Sequence, residues 1–111
     1  MSDCLFCKIV TGEIPAAIVY QDDKILVFKD LYPKAEKHLL VIPKKHYIDL
    51  IDIAEKNPGT LNYMMKMIPE IAKAQNLNNG YRTIINTGKG GGQVIFHLHA
   101  HLLAGKNLPG F

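Results

Sequence analysis

The sequence has little of several features that would assign it to a particular class of protein. Among 111 residues it has only two cysteines, and it has neither a long basic run nor a long apolar run. A helix that spans a bilayer needs roughly 20 consecutive apolar residues, so we expect no membrane span. The lysines are dispersed and the net charge is only +3, which argues against a nucleic-acid-binding face and leaves room for a small anionic ligand.

The first ten residues, MSDCLFCKIV, also lack the features of a secretory signal. They contain Asp3, and no basic stretch leads into a long apolar core. We therefore expect a cytoplasmic protein. Thiols stay reduced in that compartment, so Cys4 and Cys7 are not expected to form a structural disulfide.

Composition and periodicity predict one α+β domain over residues 1–111. Hydrophobic residues make up 48% and charged residues 21%, and no segment repeats. CLFCKIVTGEIPA predicts a short helix closed by Gly12 and Pro15. Alternating or β-branched segments predict five strands, at 16–23, 24–33, 37–45 (stopped by Pro43), 81–88 and 94–105. Short connections between the first three strands favour an antiparallel meander.

A long helix is predicted between the third and fourth strands. Asn57 and Pro58 are typical of a helix start, and NNG at 78–80 is expected to end the helix. Pro69 lies inside this segment and predicts a kink or two abutting helices. The apolar positions with helical spacing, expected to cover one face of the sheet, are Leu61, Met64, Met65, Ile68, Ile71 and Ala72.

Three of the five histidines stand at alternate positions in HLHAHLL, residues 97–103. On a strand, His97, His99 and His101 would share one face, while Leu98 and its alternate neighbours would point into the core. A solvated histidine-rich face, a metal site and acid–base or nucleophilic chemistry on a phosphate are all compatible with this pattern.

The glycine-rich loop TGKGGGQ, residues 87–93, comes just before these histidines. Successive glycines can turn backbone N–H groups toward an anion, although a flexible hairpin loop is the simpler interpretation of the loop alone. It is not a Walker A loop, because Lys89 is not followed by Ser or Thr. Loop and histidines together favour phosphate chemistry.

Four segments join HLHAHLL in a resemblance to a known family. FCKIVTGEIPAAIVYQDD, VFKDLYPKAEKHLLVIPKKH, LNNGYRTIIN and GGQVIFHLHAHLLAG resemble the Hint branch of the histidine triad (HIT) superfamily, the nucleoside phosphoramidases. The resemblance covers nearly all of residues 4–105. It implies the HIT fold: a five-stranded antiparallel sheet with one long and one short N-terminal helix. It also implies a homodimer in which the helices of the two subunits pair and their fifth strands pair. The sheet would then be continuous across the interface.

The resemblance implies hydrolysis of purine nucleoside 5′-phosphoramidates or acyl-adenylates. His99 would attack the α-phosphorus and form a nucleotidyl-histidine, and water would then release AMP or GMP. A neutral imidazole suits this task because its reference pKa is about 6.5. Its Nδ1 would have to donate a proton, for example to a backbone carbonyl near His97. His101 would hold a phosphoryl oxygen, and His38 would orient the triad.

The same resemblance assigns binding roles. Asn86, Gly92 and the N–H groups around Gln93 and Val94 would contact the phosphate, and Asp30 would accept from the ribose hydroxyls. The base pocket would comprise Leu5, Phe6, Ile9, Phe28 and Leu31. Plain core packing explains these apolar residues equally well, and Asp30 could be a solvated strand end.

Cys4 and Cys7 lie three residues apart, on one face of a helical turn. Such a pair with two distant histidines suits tetrahedral zinc, while two free cysteines or a redox pair are alternatives. The resemblance to bacterial members that begin with C-x-x-C implies a structural zinc held by Cys4, Cys7, His46 and His97. Four protein ligands leave no position open for a reactive water.

The sequence departs from the Hint pattern at three places. Val94 replaces a polar side chain that would assist the phosphate or the leaving group, the C-terminal KNLPGF lacks tryptophan, and Pro69 interrupts the helix. Two other functions are compatible with the motif: a dinucleoside polyphosphate hydrolase of the Fhit type and a non-catalytic purine nucleotide-binding protein.

Overall fold

The computed structural model describes residues 3–110 as a five-stranded antiparallel sheet with three helices. Sheet order is β1-β2-β3-β5-β4, and every neighbouring pair is antiparallel. In chain order the elements are α1 (Leu5–Thr11), β1 (Ile18–Gln21), β2 (Ile25–Lys29), β3 (Lys37–Pro43), α2 (Leu50–Lys56), α3 (Pro58–Ala74), β4 (Arg82–Ile84), a 3₁₀ turn (Lys89–Gly91) and β5 (Ala100–Ala104). The predicted α+β class and antiparallel sheet are confirmed.

Hydrophobic side chains cover the sheet on both faces, which explains why residues 25–28 of β2 and 39–43 of β3 are continuously apolar and buried. One core joins alternate sheet residues, such as Val27 and Leu102, to Met64 and Ile68 of α3. The other core packs the opposite positions, including Phe28 and Leu40, against α1. Placing α1 on the second face is what brings Cys4 and Cys7 close to the histidines.

Helix α1 ends as its sequence predicts. The Cys4 side chain caps the first turn by accepting the Cys7 N–H, and Gly12 closes the helix with φ +85°. A positive φ of this size favours glycine, so the end of α1 is set by the chain itself.

The connection from β3 to β4 differs from the prediction. The sequence did not predict α2, whose N-cap is Asp49. Helix α3 runs through Pro69 without interruption, so two abutting helices are wrong, because buried residues on both sides of the proline hold one helix to the sheet. It ends at Ala74 rather than at 78–80, because Asn76 takes φ +62° and the Leu77 N–H returns to the Ala72 carbonyl.

The last two strands are shorter than predicted, since β4 has three residues and β5 begins only at Ala100. Residues 95–99 are held in other ways: the Leu98 N–H donates to the Tyr47 carbonyl at 2.7 Å, and the Gln93 side chain donates to the Ile95 carbonyl. His97 and His99 therefore precede β5, and only His101 belongs to it.

Strand β5 lies inside the sheet, hydrogen-bonded to β3 on one side and β4 on the other. The expectation that fifth strands pair across a dimer is therefore wrong, because both edges of β5 are used. Within residues 3–110, the helices fall short of the length and apolarity needed to cross a bilayer.

Candidate active site and metal cluster

Three imidazoles follow one another along the side of the sheet that α1 covers. The rings of His99 and His101 are 4.9 Å apart, and the Phe6 ring meets His99 edge-on at 5.1 Å. The predicted alternation holds although the segment is mostly not a strand, since Leu98 lies in the opposite core. The solvated-face interpretation is wrong, because His97 is 0% and His99 is 8% exposed.

The tautomer of His99 follows from its hydrogen bond to the backbone. Its Nδ1 lies 2.8 Å from the His97 carbonyl oxygen, which can only accept, so Nδ1 carries the proton. In the neutral ring Nε2 then has the lone pair. The hydrogen bond required of a nucleophilic His99 is present.

The tautomer of His101 is fixed through His38. The Lys34 N–H donates to His38 Nδ1 at 3.1 Å, so the proton of the neutral His38 ring is on Nε2. That Nε2 lies 2.9 Å from His101 Nδ1 and 3.3 Å from Asp30 Oδ2. His101 Nδ1 therefore accepts, and the His101 proton is on Nε2. Two neighbouring imidazoles thus offer atoms of opposite character, a lone pair on His99 Nε2 and a donor on His101 Nε2.

Burial keeps these rings uncharged at neutral pH. It lowers the pKa of His101 to about 4, and it also lowers the pKa of His99 and of His38. The Asp30 carboxylate opposes this effect at all three rings, but burial is the larger cause.

The ligand atoms of Asp30, His38 and His101 lie within 4.8 Å of one another, a spacing that a metal could bridge. A metal would need a lone pair on His38 Nε2. Because the Lys34 N–H donates to His38 Nδ1, the lone pair of the neutral ring is on Nδ1 and the proton is on Nε2. The three side chains form a proton-holding network rather than a metal site.

A cavity of about 470 Å³ opens beside His99 and His101. Of the residues predicted from the sequence, those that line it are Phe6, Asp30, His38, Asn86, Gly92, Val94, His99 and His101. The cavity is also lined by residues that no sequence pattern predicted: Tyr32, Lys34, Leu40, Ile84, Ile95, Leu103 and Pro109. A larger cavity of about 650 Å³, between β4 and the C-terminal segment, has no histidine in its lining.

Most of the predicted base pocket lies elsewhere. Ile9 and Phe28 are buried in the core beneath α1, so plain packing describes them. Leu5 and Leu31 are exposed and do not line the cavity. Phe6 alone of the five lines it, and its ring contacts that of His99.

The glycine loop does not present the expected row of amides. The N–H groups of Gly91, Gly92 and Gln93 donate to carbonyls of Gly88 or Lys89 within the loop. The Val94 N–H makes no hydrogen bond to residues 3–110, so it remains available to an anion.

The Gln93 side chain is 4% exposed and fixes the loop instead of lining the cavity. It accepts from the Gly88 N–H and donates to the carbonyls of Ile48 and Ile95. Asn86 also holds the loop, through Nδ2 and the Gly91 carbonyl at 2.9 Å.

Cys4, Cys7, His46 and His97 converge at the N-terminus of α1, with ligand atoms all within 4.8 Å of one another. His97 Nδ1 lies 3.3 Å from Cys4 Sγ, 3.6 Å from Cys7 Sγ and 3.3 Å from His46 Nδ1. Tetrahedral zinc, bonded at about 2.3 Å to sulfur and about 2.0 Å to nitrogen, separates its ligands by about 3.3–3.8 Å. The residues fit that ion.

His97 is oriented for a ligand role. Its Nε2 donates to the Pro43 carbonyl at 2.8 Å, which leaves the Nδ1 lone pair directed at the two sulfurs. Burial lowers the pKa of His97 to about 4, so the ring stays neutral. Burial also raises the pKa of the Cys7 thiol in the metal-free protein.

A HIT domain model matches residues 11–108 of the chain. The protein belongs to the HIT family. It is 52% identical to Protein HitA of Neisseria gonorrhoeae over 103 residues, which cover 93% of this chain and 96% of HitA.

Solved HIT structures superimpose closely on this one. A histidine triad protein from Clostridium difficile matches with TM-score 0.93 and 49% identity, covering 100% of this chain and 97% of that one. A HIT family hydrolase from Legionella pneumophila matches with TM-score 0.89 and 43% identity, covering 95% of each chain.

Two further solved HIT structures are similar to this one. A zinc-bound histidine triad family protein from Mycobacterium smegmatis has TM-score 0.86 and 37% identity, covering 96% of this chain and 77% of that one. A histidine triad nucleotide-binding protein from Candida albicans has TM-score 0.81 and 34% identity, covering 90% of this chain and 73% of that one.

We predict that Gly92→Ala disturbs this HIT site while Gly91→Ala does not. Gly92 has φ +88°, and an added Cβ would lie 2.9 Å from Asn86 Nδ2, whereas a Cβ at Gly91 meets nothing within 4 Å. The strained backbone should cost about 1–3 kcal/mol in unfolding free energy, measured by urea denaturation, and should weaken AMP binding. Equal effects at the two glycines would contradict the prediction.

Proposed function

We propose that this HIT protein is a nucleotide hydrolase that cleaves purine nucleoside 5′-phosphoramidates or acyl-adenylates at the α-phosphorus through a covalent nucleotidyl-His99. One observation carries the proposal: the same cavity is lined by His99, whose lone pair is on Nε2, and His101, whose proton is on Nε2. A nucleophile beside a donor is the arrangement that phosphoryl transfer requires.

In the first step His99 Nε2 attacks the α-phosphorus, and the bond from phosphorus to the leaving nitrogen or oxygen breaks. The leaving group takes up a proton as it departs. In the second step water attacks the same phosphorus, the bond to Nε2 breaks, and the nucleoside monophosphate leaves. Covalent catalysis of this kind divides one difficult displacement into two easier ones.

The backbone carbonyl of His97 supports the charge that His99 acquires. As Nε2 bonds to phosphorus the ring becomes positive, and the Nδ1–H donated to that carbonyl becomes a stronger hydrogen bond. His101 Nε2–H would donate to a non-bridging oxygen of the phosphate, with the Val94 N–H as a second donor. Both groups act where negative charge develops.

The nucleoside would occupy the rest of the cavity. Its base would lie against the apolar wall of Phe6, Leu40 and Ile95, and its ribose hydroxyls would donate to Asp30. Asp30 Oδ1 already accepts from the Tyr32 N–H at 2.8 Å, which holds the carboxylate in place.

We predict that His99→Asn abolishes hydrolysis but retains nucleotide binding. Asparagine can still donate toward the His97 carbonyl but has no nucleophilic nitrogen. Turnover of an adenosine phosphoramidate should fall on the order of a thousandfold or more, while the affinity for AMP changes little. Mass spectrometry of a quenched reaction should find the nucleotidyl group on His99 of the wild-type protein only.

A properly folded His99→Asn protein that keeps its turnover would contradict the covalent step. Circular dichroism and metal content are the checks that the variant is folded. Hydrolysis of diadenosine triphosphate but of no phosphoramidate would favour the Fhit-type alternative, and AMP binding with hydrolysis of neither would favour the non-catalytic nucleotide-binding alternative.

We also propose that Cys4, Cys7, His46 and His97 hold a structural zinc. Its four protein ligands would tie α1 to the segment that carries His99, and no ligand position is left for water. Zinc bound here would supply rigidity, and the chain's own imidazoles would carry the reaction.

We predict about one zinc per chain in the purified protein, and its loss in Cys4→Ser. Elemental analysis by mass spectrometry measures both. Lys8→Ser is the matched control, since Lys8 lies on the same helix and is not in the cluster. A folded, metal-free wild-type protein would refute the zinc site.

The protein is further proposed to be a homodimer in which β4 strands meet. Strand β4 is bonded to β5 on one side only and is therefore an edge of the sheet. An edge strand exposes N–H and C=O groups that a second copy can satisfy. Sedimentation velocity should give twice the mass of the chain; a mass of one chain at all concentrations would overturn the dimer.

A further inference from the structure

The Cys/His cluster is connected to His99 through a single residue, His97. The His97 side chain belongs to the cluster, and the His97 carbonyl accepts the proton of His99 Nδ1 at 2.8 Å. The next peptide N–H, that of Leu98, donates to the carbonyl of Tyr47, the residue after His46. The peptide group that selects the tautomer of His99 is thus held at both ends by cluster residues or their neighbours.

Phe6 provides a second connection. It lies between Cys4 and Cys7 on the first turn of α1, and its side chain is 3% exposed. The Phe6 ring meets His99 edge-on at 5.1 Å and His97 at 5.8 Å. Any rearrangement of that turn must therefore move a ring that packs against His99.

The two sulfurs are placed so that they can be oxidised. Both cysteines are half-buried rather than enclosed, so a small oxidant can reach them. Cys4 is the N-cap residue, with the extended backbone angles φ −84° and ψ 119°, and is free of the helical conformation that holds Cys7. A C-x-x-C pair in this position supports disulfide chemistry.

We propose that Cys4 and Cys7 form an oxidation site, at which a hydroperoxide makes a disulfide, expels the zinc and thereby lowers the catalytic competence of His99. This inference rests on the proposed function of His99 and on the proposed zinc. The reaction consumes one hydroperoxide and two protons. The O–O bond breaks, the S–S bond forms, and the products are the alcohol, water and Zn²⁺.

Disulfide formation removes the zinc ligands Cys4 and Cys7 from the cluster. The two sulfurs must approach to about 2.05 Å, well inside the spacing that a zinc ion sets, so the first turn of α1 must distort. His97 then loses its metal, and Phe6 moves with the turn. Both supports of His99 weaken, and the proton is no longer confined to Nδ1.

The test uses the zinc-loaded wild-type protein treated with hydrogen peroxide. We expect release of about one zinc, detected with a chromogenic chelator, and a disulfide between Cys4 and Cys7, mapped by mass spectrometry after alkylation. The ¹⁵N signals of His99 should lose the pattern of a single tautomer. The kcat for an adenosine phosphoramidate should fall on the order of tenfold or more, with a smaller change in KM, and should return after dithiothreitol and zinc are added.

Met65→Leu is the matched control, because Met65 is an exposed, oxidisable side chain outside the cluster. It should leave every response to peroxide unchanged. The Cys7→Ser variant should form no disulfide between positions 4 and 7 after peroxide treatment. Adding dithiothreitol should therefore not raise its kcat. A peroxide effect that vanishes in Met65→Leu would overturn the proposal.

The remaining outcomes separate this inference from the proposed function. A disulfide and released zinc with unchanged His99 signals and kcat would overturn the connection to His99. Failure to bind zinc, or retention of zinc without a disulfide, would overturn the oxidation site. If the His99 signals respond but no phosphoramidate is ever hydrolysed, the site stands and the proposed enzyme function fails.

Discussion

The hydrogen bond from His99 Nδ1 to the His97 carbonyl is the interaction on which the site depends. It assigns the proton in the His99 ring and leaves the opposite nitrogen with its lone pair. The peptide after His97 is held in place by two hydrogen bonds, from His97 Nε2 to the Pro43 carbonyl and from the Leu98 N–H to the Tyr47 carbonyl. The main chain, more than any single side chain, therefore decides the chemistry that His99 can perform.

Burial supplies the second requirement, an uncharged imidazole. A protonated His99 would have no lone pair, and a protonated His101 would repel it. Taking the rings out of water lowers their pKa values and removes both problems, and the His38–Asp30 pair holds the ring of His101 without transferring charge to it. The neutral state is thus a property of the packing of α1 against the sheet.

Much of this could be predicted from the sequence. Periodicity located the long helix, short connections indicated the meander, and the histidine alternation predicted a shared face. The C-x-x-C spacing was compatible with a metal site, and the family resemblance supplied His46 and His97 as its further ligands. The prediction of β5 failed because strand-like alternation also describes residues 95–99, which bond to Tyr47 and Gln93 instead of to a neighbouring strand. The glycine content of the loop does not show whether its N–H groups point toward an anion or donate to carbonyls within the loop. The sequence also does not show which apolar residues near α1 belong to the core and which line the cavity, because that depends on tertiary contacts.

The exposed side of the cavity at Val94 has a consequence for the kind of substrate that the protein can use. The Val94 side chain is 84% exposed and has no proton to give, and the N–H groups of Gly91, Gly92 and Gln93 are bonded within the loop. In the proposed reaction the Val94 side chain cannot give the departing amine a proton. Weakly basic amines, which depart readily without prior protonation, would be favoured over strongly basic alkylamines, and the identity of the departing group would govern the rate more than the identity of the base.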